Sequence, residues 1–384
     1  KKIAILGSTG SIGRSTLDII RKDKKNFQVV LLTANNNYKK LIKQAKEFKA
    51  RNVIIYNNNF YLKVKNSLKK NKTRVYFSNI SLNKIIKKKI DYTMSAVVGL
   101  AGLQPTIDAM KFSRIVALAN KETIICGWPI LNKLIKKYKT EIVPVDSEHF
   151  SIMELTKGVS NDEVEEIIIT ASGGPFLNFP INKLKKIKPI QAIKHPNWKM
   201  GKKISIDSAT MMNKIFEVIE AMKIFDIDRN KIDILIHPKS YLHAIVNFKN
   251  GLTKLLAHDT TMEIPIANSL YSNENNYNAQ NCHFSYKKLN GLNFVKPDRS
   301  NFPLLKILEY KFQNTYLEII LVTINDELVR KYLDNEISYI SIHKKMLSLL
   351  KKPYFINFYS HKPKNINDLR IMVRKVKNYL NVNL

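Results

Sequence analysis

Ile3-Ala4-Ile5-Leu6-Gly7-Ser8-Thr9-Gly10-Ser11-Ile12-Gly13 decides the fold. Four apolar residues form a short buried-type strand. The glycines at 7, 10 and 13 then let the backbone turn tightly, and a helical pattern follows from about Ser15 to Arg21. A strand, a glycine loop and a helix in that order turn backbone N–H groups and the positive end of the helix towards a pyrophosphate. The spacing alone is a weak motif, and its context makes it stronger. Outward from it, Val29–Thr33 reads as a second strand, Tyr38–Lys49 as a helix and Asn52–Tyr56 as a third strand. The alternation continues through Ile115–Ala119 and Glu141–Val145. Strands alternating with helices imply a mostly parallel, doubly wound sheet. The second strand ends in Thr33-Ala34-Asn35-Asn36-Asn37, with no carboxylate for ribose hydroxyls and with Lys39 and Lys40 nearby. That favours NADPH over NADH.

Beyond residue 147 the pattern changes. Strands are expected at Glu166–Thr170 and Ile232–Ile236 and a helix from about Ala209 to Phe225. An Asn-rich, turn-like stretch runs from 271 to 280, and helical periodicity dominates after Phe302. The fold class expected is α/β: an N-terminal Rossmann-like doubly wound sheet, a central α+β catalytic domain and a small helical C-terminal domain. The boundaries expected are 1–147, 148–272, a linker over 273–301, and 302–384.

The chain has 384 residues, with 64 Lys or Arg against 31 Asp or Glu. The formal charge of +33 raises the question of nucleic acid or an anionic surface. The excess is almost all lysine, with ten arginines in the whole chain, and it runs alongside abundant asparagine and isoleucine in loops and helices alike. That is the mark of compositional bias on a solvated surface. We therefore expect no specific nucleic-acid partner, although such a surface still attracts phosphorylated substrates. No apolar run approaches the roughly 20 residues that cross a bilayer. Lys1 to Gly7 is too short an apolar run, ending in a glycine loop, to read as a signal peptide. Cys126 and Cys282 form neither a zinc cluster nor a disulfide framework. A cytoplasmic, reducing compartment is expected.

Four further segments carry chemistry. In Pro144-Val145-Asp146-Ser147-Glu148-His149 two carboxylates fall two positions apart, on one side of an extended chain, which is costly unless a cation joins them. Oxygen ligands select Mg²⁺ or Mn²⁺ over zinc; a helix cap beside a surface acid is the plainer alternative. In the stretch 205–220, Asn213, Glu217 and Glu220 share a helix face opposite a stripe of Met212, Ile215, Phe216 and Ile219. The polar face either meets solvent or lines a site. Ser208 and Thr210 can cap the helix start, and Ser208, Asn213 and Lys214 suit a phosphate. Thr170-Ala171-Ser172-Gly173-Gly174 is a second anion-binding turn. His195-Pro196-Asn197-Trp198-Lys199-Met200-Gly201 reads either as a hinged lid or as a core anchor. The other histidines show no ligand spacing and read as structural.

Six motifs occur together: GSTGSIG at 7–13, LANKE at 118–122, PVDSEH at 144–149, SGGPF at 172–176, HPNWKMG at 195–201 and SIDSATMMNK at 205–214. In order and spacing they resemble the 1-deoxy-D-xylulose 5-phosphate reductoisomerase family along nearly the whole chain. The resemblance implies NADPH- and divalent-metal-dependent isomerisation and reduction of that sugar phosphate to 2-C-methyl-D-erythritol 4-phosphate, in a homodimer. It implies that Thr9, Gly10, Ser11 and Ile12 hold the NADPH phosphates, that Asn35, Asn36 and Asn37 lie near the adenosine ribose, and that Asn120, Glu122 and Gly201 lie along the cofactor. Asp146, Glu148 and Glu217 are implied as ligands of Mg²⁺ or Mn²⁺. Lys121, Ser147 and Glu148 are implied at the sugar backbone. Ser172, His195, Ser208, Asn213 and Lys214 are implied at the phosphate or its neighbouring carbons, with Trp198 as flap. The chain departs from the family in having Ile215 where glycine is usual, and in the stretches 256–262 and 311–327. One rival reading is another NADPH-dependent oxidoreductase of a small phosphorylated or semialdehyde substrate, which needs no acidic triad. A nucleic-acid-binding protein is the other, and it leaves the six motifs unexplained.

Overall fold

Each apolar run that alternates with a helix in the first 147 residues becomes a strand of one parallel sheet in the computed structural model, which describes residues 1–77, 80–177, 179–271 and 286–384. The strands are β1 (Lys2–Leu6), β2 (Gln28–Ala34), β3 (Asn52–Ile55), β4 (Arg74–Phe77), β5 (Ile90–Ser95), β6 (Ser113–Leu118) and β7 (Glu141–Pro144). Their spatial order is β4-β3-β2-β1-β5-β6-β7, every pair parallel. The chain winds outward from β1 to β4, then returns to place β5 on the other side of β1. The carboxyl ends of β1 and β5 therefore flank the switch point where open α/β sheets bind ligands.

The helices carry the expected one-sided burial. Helix α1 (Ser11–Lys22) buries Gly13, Thr16, Leu17, Ile19 and Ile20, which all fall on one side of the helix. Helix α2 (Tyr38–Glu47) starts from Asn37, whose side chain accepts the Lys40 N–H at 3.3 Å. Helices α3 (Lys121–Tyr138) and α4 (Ser147–Leu155) follow β6 and β7. Residues 1–123 and 129–150 form one compact unit together with the helix Glu263–Tyr271. That helix is fastened by Tyr92 and Ser269, whose hydroxyls meet at 2.7 Å, and by Tyr271, which donates to Asp23 at 2.9 Å.

A second unit contains 124–128, 151–261 and the described chain from 286 onward. Its sheet has β8 (Val164–Ala171), β9 (Ile232–Ile236), β10 (Leu242–Phe248) and β11 (Thr253–Ala257) in the order β11-β10-β8-β9, with only β8 and β9 parallel. The helix expected over 209–225 is α6 (Met212–Ile224); a separate helix, α5 (Lys202–Ala209), precedes it across a break at Met211, whose φ is +63°. The first part of the expected linker, 273–285, lies outside the described residues, as do the turn-like stretch from 272, Cys282 and His283. In the rest of the linker, Val295 forms a two-way bridge with Ile236 on β9.

The C-terminal helices Tyr316–Leu333, Tyr339–Leu350 and Ile366–Asn383 match the periodicity after Phe302. The first begins with a capping box in which Thr315 and Glu318 satisfy each other's backbone N–H groups. Among the described residues no helix is long and apolar enough to cross a membrane.

His343 is buried in this region, edge-on to Tyr339, and burial pushes its imidazole down from 6.5 to about 4. Between those values the unfolded chain holds the proton and the folded chain does not, so acidification favours unfolding. The full difference is on the order of 3 kcal/mol. Relative to a reference near neutrality, the stability of His343→Leu should fall less than that of the wild type from pH 6.5 to about pH 4. Urea titrations across that window measure it, and parallel pH profiles would contradict it.

Candidate functional site

In the first unit, the chain leaves β1 into Gly7, whose φ is +81°; a Cβ there would stand 2.6 Å from the Ala96 carbonyl oxygen that follows β5. A Cβ on Gly13 would meet the Gly7 oxygen at 2.5 Å. Both positions require the absence of a side chain. Gly10 is the N-cap of α1 and offers no capping side chain, and the first turn of α1 carries no acid. Thr9, Gly10, Ser11 and Ile12 thus form an exposed or half-exposed rim of backbone amides at a helix N-terminus, suited to an anion.

Residues to which the sequence motifs give no role shape this loop. Gly7 N–H donates to Thr33 Oγ1 at 2.9 Å. Gln44 holds Ser8 from two sides, accepting from its hydroxyl at 2.8 Å and donating to its carbonyl at 2.9 Å. A glutamine on an otherwise apolar helix stripe was the available signal. Asn35, Asn36 and Asn37 are exposed beyond β2; Asn36 Oδ1 accepts from Asn57 at 2.8 Å.

At the carboxyl ends of the adjacent strands β6 and β7 the chain presents Asn120-Lys121-Glu122 and Asp146-Ser147-Glu148. Asn120 caps α3 by accepting from Thr123 N–H at 2.9 Å. Its amide also donates to the carbonyls of Val97 and Gly99, tying down the loop after β5. Lys121 and Glu122 are buried in the first turn of α3, and Lys121 forms an ion pair with Asp146. Asp146 and Glu148 lie together, with a carboxylate oxygen of each within 4.8 Å of the other, for a reason other than the expected one. The segment is not extended there: Asp146 accepts the Phe150 N–H through its carbonyl at 2.8 Å, and Glu148 sits in the first turn of α4. Ser147 donates to Glu148 at 2.5 Å.

Burial alone would raise the Asp146 carboxyl, but Lys121 and His149 outweigh it and hold it well below the usual carboxylate range. His149 is fully buried, with Nδ1 3.3 Å from Asp146 Oδ1. A carboxylate only accepts, so Nδ1 carries the proton in this contact. The motifs assign His149 no role, although its i,i+3 spacing from Asp146 was visible.

In the second unit, β8 runs into Ser172 and then Gly173 and Gly174, both with positive φ. A Cβ on Gly174 would stand 2.9 Å from Ala209 Cα, so the turn packs directly on the end of α5. His195 Nδ1 accepts the N–H groups of Asn197 and Trp198 at 3.1 and 3.0 Å. Its ring proton therefore resides on Nε2, 2.9 Å from Ser172 Oγ. Gly174 N–H also donates to Ser172 Oγ, at 3.0 Å. With both of those bonds accepted, the Ser172 hydroxyl has its own proton left to donate. Burial, with Lys214 nearby, pushes the His195 imidazole down to about 4, keeping it neutral at ordinary pH.

Lys214 donates to the Thr170 carbonyl at 2.6 Å and pairs with Glu217 at 2.5 Å; Asn213 donates to Glu217 at 2.5 Å. The polar face of α6 is not solvated: Glu217 is 0% and Glu220 2% exposed. Ser208 does not cap α6, because it lies inside α5 and the N-cap position is Met211, whereas Thr210 Oγ1 accepts the Met212 N–H at 3.4 Å at the helix start. Asp207, beside Ser208, accepts from Asn325 at 2.8 Å and pairs with Lys203 at 3.0 Å. Asn325 thus anchors α5 from within the divergent 311–327 stretch. Trp198 is half-buried with its ring edge-on to His243, and Gly201 is the exposed N-cap of α5.

The donors that could hold a metal are carboxylate oxygens throughout, which fits a hard divalent cation. The remaining groups are a neutral histidine, hydroxyls and lysines, which fits a phosphorylated polyol.

Three family models match the chain: 1-deoxy-D-xylulose 5-phosphate reductoisomerase over residues 3–127, its C-terminal domain over 142–225, and the DXP reductoisomerase C-terminal domain over 258–379. The 1-deoxy-D-xylulose 5-phosphate reductoisomerase of Pelagibacter ubique is 52% identical over 373 residues, 96% of each chain. That of Sulfurihydrogenibium is 38% identical, over 98% of this chain and 96% of its own. A solved DOX-P reductoisomerase in complex with NADPH, fosmidomycin and magnesium superposes with a TM-score of 0.93 at 30% identity, covering 100% of this chain and 98% of its own. The Zymomonas mobilis enzyme in complex with NADPH gives 0.89 at 31%, covering 98% and 96%. The chain belongs to the 1-deoxy-D-xylulose 5-phosphate reductoisomerase family.

Proposed function

We propose that this protein converts 1-deoxy-D-xylulose 5-phosphate to 2-C-methyl-D-erythritol 4-phosphate with NADPH and Mg²⁺ or Mn²⁺. The observation that carries this is the 52% identity sustained over 373 residues, 96% of the chain. Residues 1–147 bind NADPH, 148–272 carry the chemistry and 302–384 form the helical domain. Thr9, Gly10, Ser11 and Ile12 receive the cofactor pyrophosphate, with Asn35–Asn37 near the ribose and Asn120, Glu122 and Gly201 along its length. Asp146, Glu148 and Glu217 hold the cation.

When bound, the cation draws electron density from the ketone and its neighbouring hydroxyl, and the reduced nicotinamide supplies hydride. Lys121, Ser147 and Glu148 position the sugar backbone, and Lys121 also keeps Asp146 ionised. Ser172 offers its hydroxyl proton to a phosphate oxygen, backed by the Nε2 proton of neutral His195. Lys214 supplies positive charge, Ser208 and Asn213 complete the phosphate grip, and Trp198 closes over the substrate. Binding energy gained at the phosphate, remote from the reacting carbons, orients them.

The active form is a homodimer. Supporting it, β11 lies at a sheet edge with Leu252 and Leu255 exposed. The protein works in the cytoplasm, where NADPH is regenerated.

The test is the structure of the product. NMR of the reaction mixture should show the branched polyol phosphate, formed one for one with NADPH consumed. An unrearranged linear polyol phosphate would instead favour a simple reductase of a phosphorylated ketose.

A further inference from the structure

We infer that the groove between the first turns of α1 and α2 reads the cofactor's 2′-phosphate, and that Arg14 and Lys40 set the preference for NADPH over NADH. This rests on the dinucleotide reading of the glycine loop and names how that site discriminates. The groove, about 470 Å³, is lined by Ser11, Arg14, Lys40 and Lys43 at the loop end and by Asp18, Arg21 and Glu47 beyond. Its charges are not evenly matched. Arg21 binds both acids, pairing with Asp18 and gripping Glu47 through two of its nitrogens. Among the described residues, neither Arg14 nor Lys40 has an acidic partner at ion-pair distance.

Arg14 is exposed, and its Nε is fixed to the Gly10 carbonyl at 3.3 Å, which roots the guanidinium over the glycine loop. Lys40 lies across the groove, and its ammonium is depressed by partial burial and by the Arg14 charge beside it. Asp18, the nearest acid, is already paired with Arg21 and offsets the repulsion between Arg14 and Lys40 only in part; a dianion between the two cations relieves the remainder.

The neighbouring asparagines do not compete for this role. Asn36 is engaged by Asn57, Asn37 caps α2, and Asn35 carries no charge. No carboxylate follows β2 to accept the free ribose hydroxyl of NADH. A 2′-phosphate placed beside that strand end meets Arg14 from α1 and Lys40 from α2, and a 2′-hydroxyl gains nothing from either.

Dissociation constants for NADPH and NADH, read by nicotinamide fluorescence, test the assignment in Arg14→Gln, Lys40→Gln, the double variant and Lys46→Gln, a lysine outside the groove. Binding of 2′,5′-ADP against 5′-AMP, measured by calorimetry, isolates the phosphate. Neutralising either charge should weaken NADPH and 2′,5′-ADP about tenfold or more, with NADH and 5′-AMP unchanged. Lys46→Gln should behave as wild type. A double variant that kept the wild-type preference, or a Lys46 variant that lost it equally, would overturn this assignment alone. A wild-type protein that bound neither dinucleotide would overturn it together with the cofactor reading.

Discussion

Asp146→Asn should lower kcat/KM about 10³-fold, the loss expected when a few kcal/mol of electrostatic stabilisation leaves a site. The substitution keeps the shape and removes the charge. Asp146 is the acid on which Lys121 and His149 converge, and it follows β7, whose end is paired with that of β6 just before Lys121. The protein should remain folded, because the Asp146 backbone still accepts the Phe150 N–H and still starts α4. NADPH affinity should stay close to that of the wild type while Mn²⁺ binding, measured by electron paramagnetic resonance, weakens. An active variant with unchanged Mn²⁺ binding would remove Asp146 from the metal site.

Ile215→Gly should melt roughly 10 °C below the wild type, although glycine is usual at this place in the family. Ile215 is 0% exposed, with Met212, Phe216 and Ile219 beside it at 0 to 1%, and α6 packs this stripe against β8. Its N–H bonds the Met211 carbonyl at 3.1 Å in regular helix geometry. Emptying the position costs about 2–5 kcal/mol for the missing side chain and its cavity, and about 1 kcal/mol more for glycine inside a helix. A compact unit of the size of the second one, which carries α6, loses roughly 2–4 °C per kcal/mol. Activity should fall as well, since α6 also carries Asn213, Lys214 and Glu217. A variant that melted at or above the wild-type temperature would show that isoleucine overfills this core.

The sequence makes legible what is local. The glycine loop was readable because close backbone approach at Gly7 and Gly13 admits no other residue. The parallel sheet was readable because fully buried strands are apolar on both faces. The spatial order of the strands was not, since it depends on where each crossover returns. The pairing of Asp146 with Glu148 was anticipated on an extended-strand argument, whereas a helix start brings them together.

The break at Met211 had no local signal, because left-handed backbone usually announces itself with glycine or asparagine. By periodicity the face of Glu217 and Glu220 could meet solvent or line a site, and only tertiary packing shows that it is buried. The Asp207–Asn325 bond joins residues 118 positions apart, which no motif could reveal.

The most direct test of a metal-dependent reductoisomerase is NADPH consumption by the chelator-treated wild-type protein with 1-deoxy-D-xylulose 5-phosphate, before and after Mg²⁺ or Mn²⁺ is restored. No consumption before and rapid consumption after, in proportion to cation bound, is the result expected. Equal rates with and without the cation would contradict the assignment of Asp146, Glu148 and Glu217, and with it the proposed reaction.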